Sequence, residues 1–525
     1  MKITIGDCDS GLTKILSRTE KHVRLAFISA VALGFLVHMF MFTNKLPNHD
    51  DIICLFYNDA TVTSGRWFLA ALIALSSNFS LPWVNGVISV FALGATCALL
   101  VKLFDIRKPL QIVLCAFSLV AFPSVTNAFG FMFTADGYML GFFLAALAAY
   151  LVDTKRLGFL PGTILLMLAT ATYQATLCFY VAILAVRGVL ILIRKELDDK
   201  RVFQKLAAYA GTAAAAALMY ILSAKLALAV TGLEMESYAG LEGLGVFSIS
   251  KIPGMILDAY TGFFTFAFKT SGVHLGLWLS IVHLLIGGMI AVLIALIVFR
   301  GGLRTRMQTV MLICVALLLP LLLNSAPFLG SPRVHAIMMY GIVMIYWLLM
   351  LLYDEASKLD RSKNFIALTG WAAAVCIFLS SCGWGVYANQ CYLKLQLKYE
   401  NSSALCNRIV ARIERDPAYA QGMPVAFIGE PEKGNYPQAK EGNLGSLGSD
   451  EGFGGPSEYS FIYDDRHFKD FIRWYIGVDY ELLDEQALKT LLRDARVAAM
   501  PCYPESGSLA VLDGILVVKV GPADG

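Results

Sequence analysis

The chain has 525 residues, of which 57% are hydrophobic and only 15% charged, and its mean hydropathy is +0.65. That balance excludes a soluble globule, whose core does not need so much apolar surface. The formal net charge of +3 says little by itself, because in a polytopic membrane protein the distribution of Lys and Arg between loops matters more than their sum.

Residues 1–22 form a short tail with Lys2, Lys14, Arg18 and Lys21, and Arg24 follows just inside the first apolar run. Cations on this side are expected to hold the N-terminus in the cytoplasm. The run is too long for a cleavable signal peptide, and no small-residue cleavage site follows it. Apolar segments predict eleven spans, at 23–43, 82–101, 109–126, 136–152, 158–172, 175–193, 206–228, 274–299, 308–326, 335–353 and 365–386. The fifth is the shortest, and only Tyr173-Gln174 separates it from the sixth.

Loop charge supports this count. Inner loops carry Lys102, Arg107 and Lys108; Lys155 and Arg156; Arg194, Lys195, Lys200, Arg201 and Lys205; Arg300, Arg304 and Arg306; and Lys358, Arg361 and Lys363. Outer loops carry only Lys45, Arg66, Lys251, Lys269 and Arg333. The C-terminal region is then expected outside.

The first outer loop, 44–81, holds Asn48-His49-Asp50-Asp51 and Ser64-Gly65-Arg66-Trp67. Two adjacent carboxylates near the interface suit proton abstraction. The bland alternative is that they cap a helix while Arg66 snorkels. After Trp67 an apolar stretch reads as an interfacial helix on the outer leaflet. Asp136, in Ala135-Asp136-Gly137-Tyr138, opens the fourth span, where it either caps the helix or faces a site. Gln174 offers an amide that can read sugar hydroxyls, or a turn that satisfies itself.

On the cationic side, Arg333 and His335 open the tenth span, and Arg333 has the fork of donors that suits a phosphate. Lys225 and Lys269 either add charge to such a site or snorkel. His274 and His283 read as structural. An acidic base plus a cationic cradle is the minimum kit for glycosyl transfer from a phosphate-linked sugar.

Beyond 387 the composition changes. Strand-like runs at 424–428 and 514–520, helix-like runs at 464–475 and 481–495, and a Gly- and Ser-rich loop at 441–456 predict a small extracytoplasmic α/β domain over 387–525. The expected fold is therefore mainly α: a helical transmembrane domain over 23–386 with a small α/β domain after it. Of the eleven cysteines, Cys391 and Cys406 are a candidate bridge. No His/Cys set suggests zinc.

Taken together, Asn48-His49-Asp50-Asp51, Ser64-Gly65-Arg66-Trp67, Ala135-Asp136-Gly137-Tyr138 and Thr172-Tyr173-Gln174-Ala175 resemble the GtrII family of membrane glucosyltransferases. The resemblance extends over most of the chain. It implies a GT-C-type fold and transfer of glucose from undecaprenyl-phosphate-glucose to a surface polysaccharide such as O-antigen, on the outer face of the cytoplasmic (inner) membrane. It implies Asp50 or Asp51 as the base, Arg66 (beside Trp67) as organiser of the first loop, and Asp136, Tyr138, Tyr173 and Gln174 in the sugar pocket. His49 departs from the acidic or small residue expected there. No metal is expected to be obligatory, with a divalent ion as the minor alternative. Expected partners are the lipid-linked donor, the glycan acceptor, the bilayer, a donor synthase and a donor flippase, with no nucleic acid.

A transporter or flippase of a lipid-linked glycan is the rival. It would favour mid-membrane ionisable groups and repeated halves, whereas these groups cluster at span ends. A polymerase or ligase of surface glycan would share the topology but use a diphosphate-linked donor.

Overall fold

The computed structural model describes residues 19–56, 61–235, 249–266, 277–330, 334–359, 363–434, 453 and 460–522. It divides into two compact units. One comprises Met1–Thr43, Asn58–Phe129 and Phe133–Asn389; the other comprises Asn44–Tyr57, Gly130–Met132 and Gln390–Gly525.

Among the described residues, ten helices are long and apolar enough to cross a membrane: Lys21–Thr43, Pro82–Phe104, Pro109–Gly130, Met132–Thr154, Thr176–Ile193, Asp199–Thr231, Leu277–Gly301, Arg306–Leu323, Ala336–Leu359 and Asn364–Glu414. The protein is a mainly α, multi-pass membrane protein. The remaining expected span corresponds to Phe159–Thr172, of 14 residues. At about 1.5 Å rise per residue it is some 21 Å long, short of the roughly 30 Å of a bilayer's hydrocarbon core. A 13-residue helix, Ile252–Phe264, has no counterpart among the spans read from the sequence.

In the membrane unit, Lys21–Thr43 packs against Pro82–Phe104 at glycines. A Cβ on Gly86 would lie 2.3 Å from the Phe42 ring, and one on Gly94 would lie 2.8 Å from Val31. Missing side chains let the two backbones approach, as small residues do in membrane helix pairs. Proline sets the breaks elsewhere. The helix Pro109–Ala121 stops at Phe122, whose backbone is extended (ψ 140°), and Pro123 opens the next segment, because the residue before proline is disfavoured in helical conformation.

At one end of the bundle, charged side chains pair. Arg187 lies 3.0 Å from Asp153 and 2.6 Å from Glu196, and Arg194 lies 2.6 Å from Glu355. Lys205 and the Tyr209 hydroxyl also meet Asp153. Chain direction puts the start of Met132–Thr154, with Asp136 and Tyr138, at the other end of this unit.

In the second unit, β1 (Val425–Ile428) runs parallel to β3 (Ile515–Lys519), and β2 (Leu509–Leu512) runs antiparallel to β3, giving the order β1-β3-β2. Asp513 and Gly514 both have positive φ, 51° and 83°, which is what a two-residue hairpin turn between twisted strands requires. Two of these strands follow the apolar runs in the sequence, while β2 lay in a stretch read as neither strand nor helix. Ala426, Ile428, Val517, Val497 and Leu491 form the core. The boundary between the units falls inside the helix Lys363–Glu414, which continues well past the span end expected at 386. Cys391 and Cys406 both sit on this helix and are buried. Fifteen residues of helix separate them by about 22 Å, far beyond disulfide reach of about 7 Å between Cα atoms. The candidate bridge is therefore wrong.

Candidate active site

The acidic pair belongs to the second unit. His49–Ile53 is a five-residue helix with Asn48 as N-cap. The Asn48 side chain accepts from the Asp51 backbone N–H at 2.8 Å, and the Asp51 carboxylate reaches back to the Asn48 N–H at 3.4 Å. This reciprocal box satisfies two otherwise orphaned donors. So short a helix does not form alone; this one packs against Asp465–Phe471.

The two aspartates differ sharply. Asp51 is 1% exposed and lies 3.7 Å from Lys45, whereas Asp50 is 39% exposed with its carboxylate 3.5 Å from His49 Nε2. Burial pushes the Lys45 ammonium down from its usual range, and the Asp51 charge offsets part of that. Asp51 is thus the third-position partner in the Asn48 capping box, while Asp50 takes no part in it. Around them stand Tyr463 and Tyr475. Burial pushes the Tyr475 phenol up, with further contributions from the charge of Asp51 and from Tyr399.

The second cluster lies in the membrane unit. Residues 61–65 turn, with Arg66 N–H donating to Thr61 C=O at 2.7 Å and Phe68 N–H to Ala171 C=O at 3.1 Å. Arg66 then donates to the Tyr138 hydroxyl at 3.0 Å. The Tyr138 and Tyr173 rings stack at 4.6 Å, and the Arg66 guanidinium sits over both, 5.9 and 5.4 Å from their centroids. Gln174 ties the same loop to a helix, donating to Ser64 C=O at 3.2 Å and to the Tyr220 hydroxyl at 2.8 Å. Trp67 donates to Ser223 Oγ at 3.2 Å. Both amide hydrogens of Gln174 are thereby committed to protein, which leaves its carbonyl oxygen able to accept a further hydrogen bond. The stretch after Trp67 is the short helix Leu69–Ile73 followed by a 3-10 turn at Ala74–Ser76. Leu69, Ile73 and Ser76 are buried while Leu75 and Phe79 are exposed, so it is docked on protein along one face rather than lying free on the leaflet. Gly137 makes room, since a Cβ there would lie 2.4 Å from Leu69.

Asp136 is fully buried. Its helix begins at Met132, so Asp136 stands in the second turn and cannot be the cap that the expected span start at 136 allowed. Ser76 and Asn85 side chains lie against its carboxylate, and Asn85 donates to Ser76 Oγ at 3.0 Å.

Of the cationic candidates, Lys225 and His335 lie among the described residues. Lys225 is exposed and, at about 100° of rotation per residue, sits about 200° around its helix from Ser223. His335 is half-buried at the start of Ala336–Val343, its carbonyl accepting from Met338 N–H at 2.9 Å. Arg333 and Lys269 lie outside the described residues. No group of three or more His, Cys, Asp or Glu side chains arranged to hold a metal occurs among the described residues.

The sequence pattern of the family described as "Glucosyl transferase GtrII" matches residues 39–346, more than half of the chain and a range that takes in the acidic pair and the Arg66 cluster. The chain belongs to the GtrII glucosyltransferase family. It is therefore a glycosyltransferase, and the glucosyltransferase role comes with the family. Nothing among curated proteins or solved structures matches it.

Several neighbours of the GtrII motif residues carried no signal in the sequence. Tyr220 and Ser223 join Gln174 and Trp67 only through folding, and Asn85 and Ser76 join Asp136 in the same way. His49 was visible but read as a departure. Tyr463 lies beyond the region matched to GtrII.

Proposed function

We propose that this GtrII protein transfers glucose from a polyprenyl-phosphate donor to a cell-surface glycan on the extracytoplasmic face of the cytoplasmic membrane, with Asp50 as the general base. The observation that carries the choice is the contrast within the pair. Asp50 keeps a solvent-accessible carboxylate beside His49, while Asp51 is buried, caps its helix and pairs with Lys45. A base must reach the proton it removes, and only the first carboxylate is free to do so.

In a single displacement, an acceptor hydroxyl attacks the anomeric carbon and its proton passes to Asp50. The new glycosidic bond forms as the bond from the anomeric carbon to the phosphate oxygen breaks. Polyprenyl phosphate leaves and the anomeric configuration inverts. Arg66 and its stacked tyrosines would serve donor recognition, since a guanidinium suits phosphate and an aromatic face suits the apolar side of a sugar. Tyr173, Gln174 and Asp136 would contribute to the sugar pocket. Arg333 would take part in holding phosphate, with Lys269, Lys225 and His335 as further candidates. No metal would be obligatory, because arginine and lysine can balance charge on a monophosphate leaving group. The excess of Lys and Arg in alternate loops supports a cytoplasmic N-terminus and an extracytoplasmic C-terminal domain. A donor synthase and a donor flippase would supply the lipid-linked glucose.

The test uses the full protein in liposomes with radiolabelled polyprenyl-phosphate-glucose and a surface-glycan acceptor. Label should pass from lipid to polymer, and Asp50→Asn should abolish that. Label crossing to the other leaflet without transfer would replace this reading with a flippase.

A further inference from the structure

We propose that Tyr463 is a positioning residue for the His49–Asp50 pair, so that a segment outside the matched GtrII region completes the reaction centre. The inference rests on the assignment of Asp50 as base.

The separation of Asp50 and His49 Nε2, 3.5 Å, is too long for a strong hydrogen bond. Their mutual setting therefore depends on what confines the imidazole. The Tyr463 ring meets His49 edge-on, with centroids 6.4 Å apart at 63°, a favoured arrangement for aromatic pairs. Its other neighbour is the His467 ring at 4.1 Å. That ring is locked in turn. Asp464 is the N-cap of Asp465–Phe471, and one carboxylate oxygen accepts from both the His467 backbone N–H at 2.8 Å and its Nδ1 at 2.6 Å. Burial raises the Asp464 carboxyl, but the His467 contacts, with help from Arg466, outweigh it and hold the group below its usual range, so it stays an anion. Tyr463 is thus held between an anchored imidazole and His49. Burial and the charges of Asp464 and Asp50 push its phenol well up, so at neutral pH it acts as an uncharged ring. All these residues belong to one compact unit.

The experiment compares Tyr463→Leu, Tyr463→Phe, His49→Ala and the double variant His49→Ala/Tyr463→Leu in the liposome assay. Misplacing a catalytic group by a fraction of an ångström to one ångström costs roughly 10- to 100-fold, so Tyr463→Leu should lower kcat by about that factor while donor KM moves by less than about twofold. Tyr463→Phe should stay within about threefold of the parent, because the ring is kept. In the His49→Ala background Tyr463→Leu should cost nothing further, since a residue that acts through another is non-additive with it. Parental kcat in Tyr463→Leu, an equal loss in Tyr463→Phe, or additive losses would each overturn the proposal. Should Tyr463→Leu fail to fold, Tyr463→Met refills the space with a flexible chain and takes its place in the cycle.

If Asp50→Asn keeps the parental rate, the base assignment falls; if Asp50 is required and Tyr463 is not, only this inference falls. A second readout does not need turnover. In protein labelled at histidine nitrogen, the His49 ring resonance should shift or broaden in Tyr463→Leu and stay put in Tyr419→Leu, which removes a ring packed on Tyr480 in the same unit. Identical His49 spectra in both would also overturn the proposal.

Discussion

The two clusters are built on opposite plans. Around Asp50 the chain is short and thinly held: a five-residue helix kept by a capping box, with one carboxylate sealed inside and its neighbour 39% exposed. Around Arg66 the polar groups are tied to one another, with Tyr138, Tyr173, Gln174 and Tyr220 joined through hydrogen bonds and stacking and the three tyrosines almost fully buried. The contrast teaches that adjacency in sequence and similarity in chemistry do not imply similar roles. Asp50 and Asp51 share a motif, yet one stabilises a helix and the other stays available. The Arg66 cluster is pre-organised, which suits recognition, because little ordering remains to be done on binding.

The sharpest way to break the contrast is to neutralise the aspartates singly. Asp50→Asn should lower kcat by about 10²- to 10⁴-fold, the range of a positioned general base, with the unfolding temperature in detergent unchanged. If Asp51→Asn gives the larger catalytic loss at unchanged stability, the roles are reversed. Asp51→Ala should instead destabilise the second unit by roughly 1–3 kcal/mol, through loss of the capping-box partner and of the partner of a half-buried cation. Thermal unfolding followed at Trp474 would read this directly. In the membrane unit, Tyr138→Phe removes the hydroxyl that accepts from Arg66. One such bond is worth about 1 kcal/mol, so donor KM should rise roughly fivefold with kcat little changed. A fall in kcat at constant KM would move Arg66 from recognition into the transition state.

A pH-dependent effect concerns Asp465, whose carboxyl is pushed up to about 6 by burial, partly offset by the Phe427 N–H it accepts at 2.8 Å. Because the folded state holds this proton more tightly than the unfolded chain, stability from this group is greatest in acid. It declines as pH rises from the ordinary carboxylate range through about 6. Protection of the Phe427 amide against hydrogen exchange should therefore decrease by up to roughly tenfold between pH 5 and 7, and Asp465→Asn should flatten that slope. A slope that persists in the variant would assign it to another group.

Much of this was legible in the chain. Apolar runs marked all ten long helices, since crossing a bilayer requires nearly uninterrupted hydrophobicity, and β1 and β3 followed from their β-branched runs. The motif residues Arg66, Tyr138, Tyr173 and Gln174 were named from local sequence. Their convergence was not visible, because Tyr138 and Gln174 meet the first loop only through the stacking of helices distant in sequence. Phe159–Thr172 was likewise marked by its apolar run, although its 14 residues are fewer than the roughly 20 expected of a full span. Asp136 was read as a possible cap because a helix start is uncertain by several residues.

The sequence by itself determined that this is a multi-pass glucosyltransferase of the GtrII family, because hydropathy and short motifs are local properties of the chain. Tertiary structure alone decided which aspartate is sealed and which is open, that Arg66 lies over Tyr138 and Tyr173, and that Tyr463 stands beside His49. Those are matters of burial and long-range contact, and a carboxylate's environment is set by what folds against it rather than by its neighbours in the chain.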